Sequence, residues 1–496
     1  MLLLGIDLGS SSVKVSVVDG ATGKTLSAAS WPPAEMEISA PLPGWAEQEP
    51  EEWWKNFTLA LADCLDSLGS KRKDIGAIGI SYQMHGLVVV DKNKKVLRPS
   101  IIWCDSRAVE IGARTFERLG KDFSLHHLLN SPGNFTASKL AWVKENEPEI
   151  FRKIHKIMLP GDYLAMRLTD EIKTTYTGLS EGIFWDFMRG EVSGELLECY
   201  GISPDLLPEA GRSFSIQGGL TASVAAELGL TPGIPVSYRA GDQPNNALSL
   251  NVLKPGEVAA TAGTSGVIYG VSDRAQFDPM SRINTFLHVN HTERLTRLGV
   301  LLCINGTGIL NSWLKKYTGA GLSYPEMNDM AAPVNPGSDG LMILPFGNGA
   351  ERMFRNRDIG ASMHGLNFNI HRQGHLYRAA QEAIAYSFRF GLEIMKETGI
   401  NPTVIRAGES NMFLSMVFRD ILSSLTSTVI TLYNTDGSIG AARGAGIGCD
   451  YYRSDEDAFT GLKVTGTSEP DPQLSMIYDV NYMEWLELLD NHLYIQ

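Results

Sequence analysis

The sequence predicts an α/β protein made of two similar halves with a cleft between them, and three observations carry that expectation. A short Gly/Ser/Thr loop occurs twice, as Gly9-Ser10-Ser11-Ser12-Val13 and as Gly263-Thr264-Ser265-Gly266-Val267, about half of the 496-residue chain apart. Each copy lies inside an apolar, strand-like run, and strand and helix patterns alternate on both sides of the midpoint. The densest cluster of chain breakers runs from Thr231 to Pro244 and includes Pro232, Gly233, Pro235 and Gly241. The boundary between the halves is expected there, giving domains over 1–243 and 244–496.

The elements follow in order. Leu2 to Leu8 is apolar, and Val13, Val15 and Val17 alternate with Lys14 and Ser16, so the chain opens with a two-stranded hairpin that carries the first loop in its turn. A helix starts at Pro50, places Trp53, Phe57, Leu61, Cys64 and Leu68 on one face, and stops at Gly69. Strands are expected over 75–81 and 87–90, and helices over 136–146 and 162–168. In the second half, strands over 257–261 and 266–271 flank the second loop. A long helix over 375–398 is stopped by Gly399, and a strand over 403–407, a helix over 411–424 and a strand over 428–431 complete the pattern.

Composition narrows the function classes. With 43% hydrophobic and 20% charged residues, the chain reads as an ordinary globular protein of two large domains or three small ones. Its 50 glycines suit tight turns and close backbone approach to a ligand. The net charge of −13 argues against nucleic acid or an acidic membrane as partner, so an anion bound here must be held by local donors. The five cysteines are scattered and lack any C-x-x-C pair, which excludes a disulfide framework or a zinc site and fits a reducing cytosol. The opening Met1-Leu2-Leu3-Leu4 is too short for a signal-peptide core, and no apolar run reaches transmembrane length. A cytoplasmic protein is expected.

Several residues carry chemistry. Small residues let backbone N–H groups and hydroxyls close around an anion, so two facing hairpins of this kind can grip one polyphosphate. Asp7 lies in an apolar strand just before the first loop, where a lone carboxylate needs a partner: a hydrated Mg²⁺ on the phosphates, or its own turn. Asp242, at the domain junction, could accept a proton from a substrate hydroxyl attacking a terminal phosphate, or could cap a helix before Gln243-Pro244. Ser81-Tyr82-Gln83-Met84-His85-Gly86 presents mixed polar groups at a strand end, as a polyhydroxylated ligand requires, although a core histidine is the plainer alternative. Trp103-Cys104-Asp105-Ser106-Arg107 adds an aromatic face and a carboxylate that could also be an N-cap. Ala407-Gly408-Glu409-Ser410-Asn411 links a strand to a helix where a nucleoside can approach the backbone. Two further runs are decoys. Gly23-Lys24-Thr25 lacks the leading glycine of a phosphate-binding P-loop and reads as a hairpin turn, and Gly444-Ala445-Gly446-Ile447-Gly448 misses the dinucleotide fingerprint and falls in a helix.

Together these residues resemble the FGGY family of carbohydrate kinases, in particular its xylulose-phosphorylating branch, almost from end to end. Gly5-Ile6-Asp7-Leu8-Gly9-Ser10-Ser11 and Gly263-Thr264-Ser265-Gly266 are similar to its two phosphate motifs, and Gln83-Met84-His85-Gly86 to its sugar tetrad. The run Asn134 to Asn146 matches one family signature except at Asn134. Gly365-Leu366, His375-Leu376, Ala379-Ala380 and Glu382 follow the other, with Gln381 in place of an apolar residue.

The resemblance implies two ribonuclease-H-like, actin-like ATPase domains with an interdomain catalytic cleft. It implies Asp242 as catalytic base, with Asp7 acting through Mg²⁺. The sugar would lie on Met84, His85, Trp103, Asp105, Asp242 and Gln243; Gln243 stands where the xylulose enzymes commonly carry Asn. ATP would meet Ser10, Ser11, Ser12 and Lys14 from one half. From the other it would meet Gly263, Thr264, Ser265, Trp313, Gly408 and Asn411. The expected reaction is ATP-dependent phosphorylation of D-xylulose to D-xylulose 5-phosphate, with sugar and ATP as the small-molecule partners and a homodimer left open. The alternatives are a family kinase for ribulose, fuculose, gluconate or glycerol, and a non-catalytic sugar or nucleotide sensor.

Overall fold

The computed structural model describes residues 1–319 and 321–495. The apolar opening run is paired on both sides. Strands β1 (Leu2–Leu8), β2 (Val13–Asp19) and β3 (Thr25–Trp31) form an antiparallel meander, and β4 (Ile75–Tyr82) and β5 (Val236–Gly241) extend it in parallel, in the order β5-β4-β1-β2-β3. The two parallel strands are buried along nearly their whole length, which is why they read as continuous apolar runs.

The second sheet contains β6 (Val258–Ala262), β7 (Gly266–Ser272), β8 (Asn284–Leu287), β9 (Leu298–Ile304), β10 (Val404–Gly408), β11 (Val429–Tyr433) and β12 (Val464–Ser468). Its order is β8-β9-β7-β6-β10-β11-β12. The inner five, β11-β10-β6-β7-β9, repeat the first sheet strand for strand in order and direction. The duplication expected from the two loops is therefore a duplication of topology.

Three local expectations shift. The strand expected over 87–90 is real as Val88–Val90, but it leaves the main sheet and pairs with Lys156–Met158. The helix expected over 411–424 divides into a 3₁₀ turn, Asn411–Leu414, and an α-helix, Met416–Thr426. Asn411 takes a left-handed φ of 52°, and the Ser415 hydroxyl accepts the Phe418 N–H at 3.3 Å, so a fresh cap starts inside the apolar run. Asp105 does not cap the helix that follows it, which runs over Val109–Leu119 with Ala108 at its N-cap.

The Gly444 run lies in the helix Gly437–Gly448, which follows β11 yet packs on the first sheet. Its small residues serve close packing. A Cβ on Gly5 would stand 1.9 Å from the Ser438 carbonyl oxygen, and one on Gly79 would stand 1.9 Å from that of Ala441. Backbone therefore meets backbone across the two halves. They also share one apolar core that includes Met84 and Leu87 from the first and Val267 and Tyr269 from the second. Among the described residues no helix is long and apolar enough to cross a membrane.

Candidate functional site

Because β1, β4 and β5 run parallel, their C-terminal ends share one rim, where open α/β sheets place their ligands. Asp7 is opposite Ser81, whose hydroxyl donates to its Oδ1 at 2.7 Å. Asp242 is the first residue of the helix Asp242–Ser249, directly after β5. Burial pushes both carboxyls up. For Asp7 the Ser81 hydrogen bond works against this, Asp436 reinforces it and Lys14 opposes it. For Asp242 burial and then the Asp7 charge outweigh hydrogen bonds from Gln243, and the group is pushed up to about 7. A carboxylate tuned to that range is suited to accept a proton at neutral pH.

Both loops are braced through their carbonyls, which leaves the Ser and Thr hydroxyls of the loops as further polar groups. In the first, the Gly9 N–H donates to the Ser12 carbonyl at 3.0 Å, Gln48 Nε2 donates to the Ser10 carbonyl at 2.7 Å, and the Met36 N–H to the Ser11 carbonyl at 2.7 Å. Lys14 forms an ion pair with Asp436 at 2.5 Å, and Asp436 caps the Gly437–Gly448 helix by accepting the Ser438 and Ile439 N–H groups. In the second, the Gly263 and Thr264 carbonyls accept the Gly308 and Ile309 N–H groups at 3.0 Å each, joining the loop to the start of the helix Gly308–Thr318. Buried Glu351 supports that junction by accepting the Asn305 and Gly306 N–H groups at 3.0 and 2.8 Å. Asn411 Nδ2 stands 3.5 Å from where a Cβ on Gly263 would be, which brings the nucleoside candidates Gly408 and Asn411 to the second loop. Trp313 is half exposed on the same helix and leans on Tyr317.

The Gln83-Met84-His85-Gly86 segment leaves the end of β4. Gln83 is tied to Gln48 at 3.0 Å and Met84 is buried. His85 takes a left-handed φ of 61°, and three bonds hold it there. Its N–H donates to Glu181 Oε1 at 3.3 Å, its Nδ1 lies 2.9 Å from the Glu181 carbonyl, and its own carbonyl accepts Lys139 Nζ at 2.8 Å. Phe135 and Phe286 pack on the ring at 4.8 and 5.4 Å. Burial, then the Lys139 charge, lowers His85 to about 3, so the ring is neutral. A carbonyl only accepts, so Nδ1 carries the proton and Nε2 is left as an acceptor.

Glu181 is the site residue that sequence reasoning missed. It ends the short helix Tyr176–Glu181, is buried, and places Oε2 2.6 Å from where a Cβ on Gly241 would be, between His85 and Asp242. Burial pushes its carboxyl well up, and the Asp242 and Asp162 charges add to that. Nothing local in Leu179-Ser180-Glu181-Gly182 announces this, because the contacts are to distant strands.

Trp103 is 44% exposed and its Nε1 donates to Ser10 Oγ at 3.4 Å, so it links the sugar candidates to the first loop. Asp105 is fully buried: it pairs with Arg107 at 2.7 Å and accepts the Ala46 N–H at 2.6 Å, while Arg107 stacks on Trp45. Among the described residues no three His, Cys, Asp or Glu side chains gather into a metal cage. Mg²⁺ in phosphoryl-transfer sites takes one or two carboxylates together with phosphates and water, and the Asp7 carboxylate fits that mode.

Residues 2–249 match the profile of the N-terminal domain of the FGGY family of carbohydrate kinases. The chain is 30% identical to the xylulose kinase of Escherichia coli, over 90% of this chain and 88% of that one. It is 31% identical to the xylulose kinase of Bacillus subtilis, over 92% and 90%. The fold superposes on the crystal structure of xylulose kinase from Rhodospirillum rubrum with a TM-score of 0.88 at 28% identity, covering 99% of each chain. A duplicated actin-like fold, two Gly/Ser/Thr hairpins and an acid at the junction are thus accompanied by a match over the whole first half and by relatives along nearly the full length: the chain belongs to the FGGY family of carbohydrate kinases.

Proposed function

We propose that the protein transfers the terminal phosphoryl group of ATP to D-xylulose, giving D-xylulose 5-phosphate and ADP in the cytoplasm. The observation that carries this reading is the placement of Asp242, tuned to about 7, on the same strand-end rim as Asp7, Met84 and His85. The sugar lies on Met84, His85, Trp103 and Gln243. As its hydroxyl oxygen bonds to the terminal phosphorus, Asp242 takes the hydroxyl proton and the bond from that phosphorus to the ADP oxygen breaks.

Ser10, Ser11, Ser12 and Lys14 hold the phosphates from one side, and Gly263, Thr264 and Ser265 from the other. Gly408, Asn411 and Trp313 hold the nucleoside. When bound at Asp7, Mg²⁺ supplies charge compensation on the phosphates. Asp105 acts through Arg107 by fixing the Trp103 segment, since its oxygens are already occupied.

The test is ADP release with D-xylulose by the wild type and by Asp242→Asn. The variant keeps the shape of the site and removes the proton acceptor, so kcat drops by ~10²–10⁴ with sugar affinity nearly unchanged. Near-normal turnover in the variant removes Asp242 from the mechanism, and no sugar-dependent ADP release by the wild type removes the kinase reading in favour of a sensor.

A further inference from the structure

Among the described residues, one guanidinium at the site, that of Arg352, meets no hydrogen-bond acceptor at two of its nitrogens. Arg352 opens the 3₁₀ turn Arg352–Phe354 in the second half and extends toward the first, with its guanidinium carbon 5.7 Å from the centre of the Phe135 ring. That ring packs edge-on against His85. Arg352 Nε and Nη2 are buried and meet no acceptor among the described residues. The carboxylate that most influences it, Asp278, is committed to an ion pair with Arg282 at 2.8 Å. Its neighbour Glu351 points the other way, onto the Asn305 and Gly306 N–H groups behind the second loop. The turn thus braces the second loop with one side chain and places the next, with two unpaired donors, beside the Phe135–His85 pair.

Two buried N–H donors without an acceptor are unfavourable, and a ligand that supplies an acceptor relieves that cost. Guanidinium donates and never accepts. A hydroxyl needs both a donor and an acceptor, whereas a ketone oxygen has two lone pairs and no proton. The substrate of the proposed reaction must expose that ketone: the five-carbon ketose closes its ring only through O5, the oxygen that is phosphorylated, so the reacting form is open-chain. Phe135 touches both Arg352 and His85, and the His85 ring leaves Nε2 as an acceptor, the complement that a sugar hydroxyl needs.

We propose that Arg352 contacts the sugar directly, donating both free N–H groups to the ketone oxygen of an open-chain ketose, and thereby sets the preference for ketoses over alditols. This rests on the kinase reading above. The experiment measures kcat/KM for D-xylulose and for its reduced counterpart xylitol with wild type, Arg352→Gln and Arg352→Lys, with ADP affinity measured by calorimetry on each.

The wild type favours the ketose by ~10²-fold or more, and Arg352→Gln loses ~10²-fold on D-xylulose, mostly through KM, while xylitol changes by less than about threefold. Arg352→Lys, which keeps a charge and a donor, falls between. Equal losses on both sugars in the lysine variant, or an unchanged ketose-to-alditol ratio in both variants, overturns the proposal. Failure of the kinase reading is seen separately, as no ADP release by the wild type with either sugar.

Discussion

Asp7 Oδ2 stands 2.2 Å from the position a Cβ on Gly437 would take, so the metal-binding candidate of the first hairpin rests against the start of a helix from the other end of the chain. Only glycine leaves room for the carboxylate there. Gly437→Ala displaces Asp7 by a fraction of an ångström or more without altering its charge. We predict a fall in kcat of ~10–10²-fold with a raised Mg²⁺ requirement, and unchanged sugar affinity. Mg²⁺ titrations of ADP release, paired with sugar calorimetry, check this; a variant with wild-type Mg²⁺ dependence contradicts it.

Asp242 ties activity to stability through pH. As the base it must be ionised, so kcat rises as pH increases through about 7, and the residual rate of Asp242→Asn shows no such step. Its folded pKa lies above the ordinary carboxylate value, so the folded protein holds the proton more tightly and loses stability as pH rises from about 4 through about 7. Removing the charge should therefore stabilise the fold. In ligand-free protein, Asp242→Asn melts above wild type at pH 8, and the gap closes toward pH 4; a variant that melts below wild type at pH 8 contradicts the assignment.

Much of this was legible because it is local. The turn at Gly9, the helix stop at Gly69 and the repeat at Gly263 are written in a few neighbouring residues, and so is the strand-end position of Asp7. What was not legible depends on contacts between remote segments. Lys14 reads as a phosphate ligand, and its ion pair with Asp436, 422 residues away, leaves no trace in the local sequence. Asp105 reads as a cap or a sugar contact; the helix begins later, at Val109, and the Ala46 N–H that Asp105 accepts comes from a remote segment. Glu181 and Arg352 carry no periodic or motif signal, since burial and the partners they face define their roles. The Gly444 run falls in a helix as expected, while its use as a close-packing surface required knowing that this helix crosses to the first sheet.

The neutral state of His85 has its own signature. With its pKa lowered to about 3 and its Nδ1 proton held by the Glu181 carbonyl, the ring presents the same acceptor throughout the neutral range. Sugar affinity measured by calorimetry without ATP should be flat from about pH 5.5 to 8. A loss of about tenfold below pH 6.5 would show that the ring titrates normally and that its burial is relieved in solution.

Substrate identity tests the account most directly. Initial rates of ADP release across D-xylulose, D-ribulose, L-ribulose, L-fuculose, gluconate and glycerol give kcat/KM for each, and the His85, Asp242 and Arg352 arrangement predicts the highest value for D-xylulose, by about tenfold or more. A tenfold advantage for gluconate, glycerol or any other member of that panel would leave a carbohydrate kinase in place and contradict the sugar assigned to it.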